Sequence, residues 1–512
     1  MSTRSLWLCA ALSAACNNDA APAPEQPTGD AGQAPVTLAA GEVLDITFTG
    51  DRAAVRLATP TGTERFVAIL ASTTFASSST TFTYSVSTEA VDSPTASRIA
   101  SGCALSSEPY RGVAVTVDPE PTGAAPAVGT KRLLRVPVGT MGETITAEVA
   151  AVGTRAVVWK DTSPAHPATL DAAFIAEFLA DFDKTILPRA RAVFGTESDL
   201  DGNGRIDLVF TPLTKTSAVA FFFGCDLVTL SGCPSGNQGE FLYLTPPADI
   251  AAPYNTPAAI KEILAHELGH LVHFNRKVLR NKLSSWPDST YMIEGFGGFA
   301  QDAVGFQAGN LYVTQAGLAG IDAFSLSDVL GSTTKTDKTH DGLLRGGSYL
   351  FVRYLYDRAG GDVASADGAI EGRGGPAFLR KVLDDPASVA EAMPVGNSGT
   401  LADVAFDFYT TLALSNGDKA GRAAPVNACF SYLPTQADPV TGKQRGADLF
   451  ASFHGQQLSG PAMQALASAD GKLRAGGVEY VSFDANNERA ELGVTVTADA
   501  QALPRVRIAR VQ

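Results

Sequence analysis

Apolar residues recur along this chain in two rhythms, and the switch between them divides it into regions. Between about residues 36 and 97 short runs alternate apolar and polar, as in Val43-Leu-Asp-Ile-Thr-Phe48 and Thr81-Phe-Thr-Tyr-Ser-Val86, with Gly, Pro and Ser between them. Period two of this kind predicts strands, here a small β-sandwich-like domain over 38–117. A Pro- and Gly-rich linker at 118–130 follows, and strands are predicted again over 132–138 and 145–159. The period then lengthens. Phe174, Phe178, Phe182 and Ile186 stand four apart and predict a long helix over 169–193, which Pro188 bends near its end. Ile260, Leu264, Leu268 and Leu271 predict a second helix over 257–275, with Thr256 as N-cap and Pro257 in the first helical position. Met292, Phe296 and Phe299 mark a third helix, capped by Asp288 or Ser289. Residues 343–358 and 401–415 continue the helical rhythm, while the short runs at 218–223 and 241–244 suit strands. Alternation returns in Val478-Glu-Tyr-Val-Ser-Phe483 and Leu492-Gly-Val-Thr-Val-Thr497, which predicts a C-terminal β module over 423–512. The expected fold class is α+β: a mixed central domain at 131–422 flanked by N-terminal and C-terminal β-sandwich-like modules.

The N-terminus follows neither rhythm. Met1-Ser-Thr-Arg-Ser5 is charged, Leu6-Trp-Leu-Cys-Ala-Ala-Leu12 is apolar and Ser13-Ala-Ala-Cys16 is small, which together read as an export signal over 1–15. Ser13-Ala-Ala-Cys16 also resembles a bacterial lipobox, which would leave Cys16 for lipid attachment; its leucine falls one position early, so ordinary cleavage after Ala15 stays as the alternative. Residues 16–37, rich in Ala, Pro, Gly and Asn, are expected to be a disordered tether. No other run approaches the roughly 18 apolar residues of a membrane span. A hydrophobic content of 45% in 512 residues is enough for sizeable cores, and a net charge of -14 with no basic cluster along the sequence argues against nucleic acid or anionic membrane as partner. The chain is expected to be an exported monomer, either secreted, at the cell surface or an outer-membrane lipoprotein held only by its lipid.

The candidate chemistry lies in the second helix. His266 and His270 of His266-Glu267-Leu-Gly-His270 are four apart, which puts their imidazoles about 6 Å apart on one face. Two neutral imidazoles and a carboxylate suit zinc, which keeps a fourth position for water at catalytic sites. Glu267 can take the proton of that water as general base and return it to the leaving amine. Histidine is scarce, six in 512 residues, so a chance pair is improbable, and His266 lies in an apolar run where an unpartnered ring would be costly. Glu294 is the candidate third ligand. It sits among Gly295, Gly297 and Gly298, each costing about 1 kcal/mol in a helix relative to alanine, a cost that close approach to the first helix would explain. The plain alternative is a glycine-rich loop with an exposed glutamate. His273 shares the face of His270 one turn further on, and is expected to pack or to support the site rather than to bind the ion. An oxyanion donor is expected among Tyr349, Tyr354 and His340.

Two further groups carry expectations. Asp199, Asp201, Asn203 and Asp207 occupy positions 1, 3, 5 and 9 of a calcium loop with Gly204 at its turn, but Phe210 at position 12 excludes a complete EF-hand, so an incomplete Ca2+ site and a plain Asx-turn stand as equal alternatives. Cys225 and Cys233 bracket a short loop and are expected to be bridged, a bond worth about 2 to 3 kcal/mol; spacing does not support pairing Cys103 with Cys429, which stays open. One of the runs 218–223 and 241–244 is expected to be an edge strand beside the cleft, where an extended peptide could add as a further strand.

His266-Glu-Leu-Gly-His-Leu-Val-His-Phe-Asn275 followed by Ile293-Glu-Gly-Phe-Gly-Gly-Phe-Ala300 resembles the gluzincin metallopeptidases, and most of all the hyicolysin family. The likeness includes Ile186-Leu-Pro-Arg189 with Phe194-Gly195, Asp199-Leu-Asp-Gly-Asn-Gly-Arg-Ile-Asp207 and Gly346-Gly-Ser-Tyr-Leu-Phe-Val-Arg-Tyr-Leu355, and spans residues 154–418. Gly269 stands where a larger polar residue is common, and Met292 and Ile293 replace a more polar approach to the glutamate. The resemblance implies a zincin-like catalytic domain, a peptide or protein substrate, zinc on His266, His270 and Glu294, and Glu267 as the catalytic acid/base of an endopeptidase. The rival expectation is a non-catalytic surface lipoprotein whose β modules bind glycan or protein and whose zinc site is a relic. Glu267 counts against it, because binding zinc alone does not need that residue.

Overall fold

Positions 66–71 read Phe-Val-Ala-Ile-Leu-Ala, with no polar residue to face solvent, which suits a strand covered on both sides. The computed structural model describes residues 34–512 except 76–78, 116–119, 121, 141, 229–232, 234–235, 253, 308–310, 332–339, 394–398, 420–427, 454–455, 467–469 and 486–488. The expected export signal, Cys16 and nearly all of the tether lie outside the described residues. Five strands precede residue 100: β1 (Val43–Ile46), β2 (Arg52–Ala58), β3 (Arg65–Ser72), β4 (Thr81–Ser87) and β5 (Ser97–Ile99). Six form the central sheet: β6 (Lys131–Val136), β7 (Glu143–Val152), β8 (Ala156–Asp161), β9 (Ile206–Phe210), β10 (Ala220–Phe222) and β11 (Phe241–Leu244). Near the C-terminus come β12 (Gln464–Ala465), β13 (Asp470–Arg474), β14 (Val478–Asp484), β15 (Glu491–Ala498) and β16 (Pro504–Arg510).

The terminal strands do not form two modules. One six-stranded sheet has the order β12-β14-β3-β16-β1-β5, and a four-stranded sheet has the order β13-β4-β15-β2, so each mixes strands from both ends of the chain. β3 pairs antiparallel with β14 from Arg65↔Asp484 to Ala71↔Val478 and with β16 from Phe66↔Arg510 to Ser72↔Pro504. The sequence expectation of separate modules at 38–117 and 423–512 is corrected to a single sandwich. Alternation tells which face of a strand is buried but not which strand it pairs with. Phe66, Ala68 and Leu70 point between the two sheets with Val494, Val496 and Ile508, while Val67, Ile69 and Ala71 point the other way into the large central core. Both faces of β3 are therefore buried.

The central sheet has the order β10-β11-β9-β8-β7-β6; β8, β9 and β11 run parallel, and β10 lies antiparallel at the edge. Val158, Leu208 and Leu242 face the helices, and Leu134, Val149 and Tyr243 form a smaller core on the opposite face. The helices that matter for the site are α1 (Ala172–Asp181), α2 (Leu187–Phe194), α3 (Pro257–Phe274), α4 (Thr290–Ala303), α5 (Asp341–Arg358), α6 (Gly375–Asp384) and α7 (Leu401–Leu414). The single long helix expected over 169–193 is interrupted by a wide π turn at Phe182–Ile186. Pro188 has no N–H and its ring crowds the preceding turn, so a widened turn there is the expected accommodation.

α7 links the helices to the sandwich. Arg507 on β16 is buried and reaches Asp45 at 2.6 Å, Asp407 at 2.7 Å and Thr410 at 2.9 Å, and the Tyr480 hydroxyl donates to the Tyr409 carbonyl at 2.7 Å. Cys225 is bridged to Cys233, and Cys103 to Cys429 with their Cα atoms 5.3 Å apart. No described helix is long and apolar enough to cross a membrane.

Candidate metal centre

α3 begins where the sequence predicts. The Thr256 hydroxyl accepts from the Ala259 N–H at 3.3 Å, and Pro257 occupies the first turn where no N–H is needed. α4 begins with Ser289, whose hydroxyl accepts from the Met292 N–H at 3.1 Å. The glycines of α4 lie where helices touch. A Cβ on Gly297 would sit 2.5 Å from His266 Nε2, and one on Gly295 would sit 2.9 Å from the Ser348 carbonyl carbon on α5. From the α3 side, a Cβ on Gly269 would sit 2.6 Å from the Ala300 Cβ. Both helices give up side-chain volume so that Glu294 can come up to the two histidines.

The result is a tight cluster. The rings of His266 and His270 are 4.6 Å apart and nearly perpendicular, and His266 Nε2 lies 3.4 Å from Glu294 Oε2. His266, His270 and Glu294 each present one ligand atom, all within 4.8 Å of one another. These donors fit a divalent ion. Burial, with the neighbouring His266, pushes His270 down to about 3, so it is neutral with a lone pair to give, and its buried Nδ1 has no protein partner among the described residues. Burial works to raise Glu294, but its hydrogen bond to His266 and the charges of His270, His266 and Arg345 hold it at about 2. His266 is disfavoured as a cation by burial, yet the Glu294 bond and the Glu267 charge raise its pKa. A field that favours positive charge at that ring also favours a cation between the three side chains.

Glu267 faces the sheet edge. Its Oε2 accepts from the Phe222 N–H at 2.9 Å, an N–H that therefore points away from β11, on the side of β10 that pairs with no strand among the described residues. Burial raises Glu267 to about 7, with Glu294 adding to the effect and His266 and the Phe222 bond opposing it. Of the two runs expected to supply an edge, 218–223 does so; 241–244 lies inside the sheet.

Arg345 was not apparent from the sequence. Its Nη1 pairs with Glu294 Oε2, its Nε donates to Asp341 at 2.9 Å, and it lines a cavity of about 100 Å³ with His266, Glu294, Gln301 and Tyr349. The available signal was the four-residue spacing of Asp341, Arg345 and Tyr349, which puts all three on one face of α5. Tyr349 reaches the cavity, although its hydroxyl donates to Asp302 at 3.3 Å. Tyr354 and His340 do not line it. Tyr354 is five positions beyond Tyr349, about 140° further around the helix, and packs against Phe351 and Phe408 in the core. His340 lies at the start of α5. His273 Nε2 turns to Asp288 at 3.1 Å between Trp286 and Phe296, outside the three-residue cluster.

The expected calcium set is rearranged. The second cluster of close donors is Asp199, Asp201 and Glu240. Glu240 is brought there by the parallel pairing of β11 with β9, which the loop sequence does not reveal. Asp207 is not in this group: as part of β9 it faces Trp159, whose Nε1 donates to it at 2.7 Å, and burial raises it to about 7. Asn203 gives its side-chain N–H to Asp201 at 2.8 Å and accepts from the Arg205 N–H at 2.6 Å.

No family model matches the chain. Over 225 residues it is 22% identical to the neutral metalloprotease ShpI of Staphylococcus hyicus, an alignment that covers 42% of this chain and 46% of that protein. The chain thus spans about half the length of the curated relative it matches. Similarity at this level is distant.

Proposed function

We propose that the chain is an exported zinc-dependent endopeptidase of gluzincin type, similar to the hyicolysin family, with α3 and α4 as its zinc-binding pair. The observation that carries the reading is the convergence of His266, His270 and Glu294, from two helices packed glycine to side chain, with Glu267 beside them. Zinc, when bound, supplies a Lewis acid that polarises a carbonyl and makes water nucleophilic at neutral pH. His266, His270 and Glu294 would hold the ion, and Arg345 pairs with the Glu294 carboxylate from the wall of the same cavity. Glu267 takes the proton that the attacking water loses and delivers it to the amine nitrogen as the C–N bond breaks. The Phe222 N–H keeps that carboxylate oriented. β10 offers an extended peptide a free sheet edge beside Glu267, and Arg345 with Tyr349 forms the polar wall facing the carbonyl oxygen. Similarity to a protein named as a neutral metalloprotease supports peptide or protein as the substrate class. Two disulfides support an oxidising compartment. The test is Glu267→Gln: zinc stays bound while casein hydrolysis falls by about 10²- to 10⁴-fold. An unchanged rate removes Glu267 from the reaction.

A further inference from the structure

Cations are scattered along this acidic sequence, yet four of them meet at one cleft. Arg155, Lys184, Arg191 on α2 and Arg380 on α6 line a cavity of about 510 Å³, together with the carboxylates of Asp183 and Glu120. Its lining shares no residue with the cavity at the candidate metal centre. Several of these groups are engaged within the fold. Arg191 Nε donates to the buried Glu197 at 2.9 Å, Arg380 Nη2 donates to the Ala192 carbonyl at 2.8 Å, and Asp183 accepts from the N–H groups of Thr154 and Arg155 at 2.7 and 2.9 Å. The outward guanidinium edges of Arg155 and Arg191 turn instead to Glu120: Arg155 Nη2 pairs with Oε2, and Arg191 Nη1 lies 3.3 Å from Oε1.

Glu120 comes from the linker between the terminal sandwich strands and the central sheet, and its side chain is half exposed. Just downstream, the Gly123 carbonyl accepts from Arg205 Nη1 at 3.1 Å, and Gly123 lies against Gly202 and Asn203 with no room for a Cβ. The chain therefore holds one of its own carboxylates in a cleft far larger than a carboxylate needs. Paired guanidinium groups match the planar, two-oxygen geometry of a carboxylate. Ala180, Leu187, Pro188 and Ala192 add apolar wall beside them, which suits peptide flanking an acidic residue. Four cations against two carboxylates leave the lining positive in a chain of net charge -14, even allowing for Glu197 behind Arg191, so the cleft attracts acidic segments that the rest of the surface repels.

We propose that this cleft is a binding site for an acidic side chain of an extended polypeptide, which Glu120 occupies in cis. It is independent of the metal centre, and binding can be read without turnover. The probe is a fluorescent peptide with the sequence of residues 118–123, Asp-Pro-Glu-Pro-Thr-Gly, titrated by anisotropy into the full-length chain. Glu120→Gln removes a tethered competitor of millimolar effective concentration, so the peptide is expected to bind that variant about tenfold more tightly than wild type. Adding Arg155→Gln to Glu120→Gln reverses the gain, and a peptide with Gln in place of its Glu shows none. The proposal is overturned by equal affinity in wild type and Glu120→Gln, by a gain that survives Arg155→Gln, or by a peptide that binds no better than inorganic phosphate.

Discussion

The helices of the candidate metal centre and the β-sandwich both bury apolar faces, but they join residues at very different separations. Glu294 is paired by Arg345 only 51 residues later, and the histidines it approaches stand on the preceding long helix. In the sandwich, Tyr84 on β4 donates to Glu479 on β14, 395 residues away. The first region depends on individual side chains being absent, as Gly269, Gly295 and Gly297 show. The second depends on both ends of the chain being present at once. Sensitivity should therefore differ in kind: a single methyl group matters in one region, and whole strands or long-range links matter in the other.

The largest expected effect comes from deleting residues 1–117. That removes β1 to β5, strips β14 and β16 of their shared partner β3, and uncovers the apolar faces of both sheets. Loss of soluble, cooperatively folded protein is expected in expression and near-UV circular dichroism; a truncated chain that melts cooperatively would restore the picture of a detachable N-terminal module. Next comes the Cys103–Cys429 bridge, which closes 326 residues where Cys225–Cys233 closes 8. By loop entropy, replacing both cysteines of the first pair with serine should cost up to about 6 kcal/mol, against about 2.5 kcal/mol for the second, as read from denaturant midpoints. Equal losses would show that chain closure does not govern the sandwich.

Within the helical region, Gly297→Ala places a methyl group against His266 and should cost about 2 kcal/mol, as overpacked positions do, and weaken zinc binding with it. Gly298→Ala is the control. Its Cβ would meet the Tyr349 Cβ at 3.5 Å, an ordinary contact, so the gain in helix propensity of up to about 1 kcal/mol should leave that variant at least as stable as wild type. If the two glycines respond alike, the close-approach argument fails. The last effect is one of pH dependence and is expected at Glu479, which burial raises to about 8 from an ordinary 4.5, with the Asp322 charge adding to it. The folded state then holds its proton more tightly than the unfolded chain, so the contribution to stability is full below about 4.5 and is lost as pH rises through about 8. Glu479→Gln has no such proton to lose. It should gain on wild type by about 1 kcal/mol per pH unit between about pH 5 and pH 8, and a flat difference would argue against a buried, protonated carboxyl.

The same contrast governs what the sequence makes legible. α3 can be read from Thr256, Pro257 and four leucine or isoleucine positions, because caps and periodicity act within a turn or two of the residues that cause them. The neighbourhood of His266 and His270 follows from their spacing on that helix. Arg345 is harder to foresee, since its meeting with Glu294 depends on how α5 crosses α4. Glu240 joins Asp199 and Asp201 only through the β9–β11 pairing, and Asp207 leaves that group because β9 turns it toward Trp159. The cleft of Arg155, Lys184, Arg191 and Arg380 is invisible as a run of charge because no two of its cations are adjacent in sequence. Strand alternation at both termini is plain, but the partner of β3 is not, since pairing across nearly the whole chain has no local signature.

The central claim is that His266, His270 and Glu294 hold one divalent ion between α3 and α4 while Glu267 does not. Zinc content by elemental analysis, after equilibration and desalting, tests it on wild type, Glu267→Gln and Glu294→Gln side by side. One zinc per chain is predicted in the first two, with at least about tenfold weaker retention in the third. Zinc held by Glu294→Gln as tightly as by wild type, or none in wild type, would contradict it.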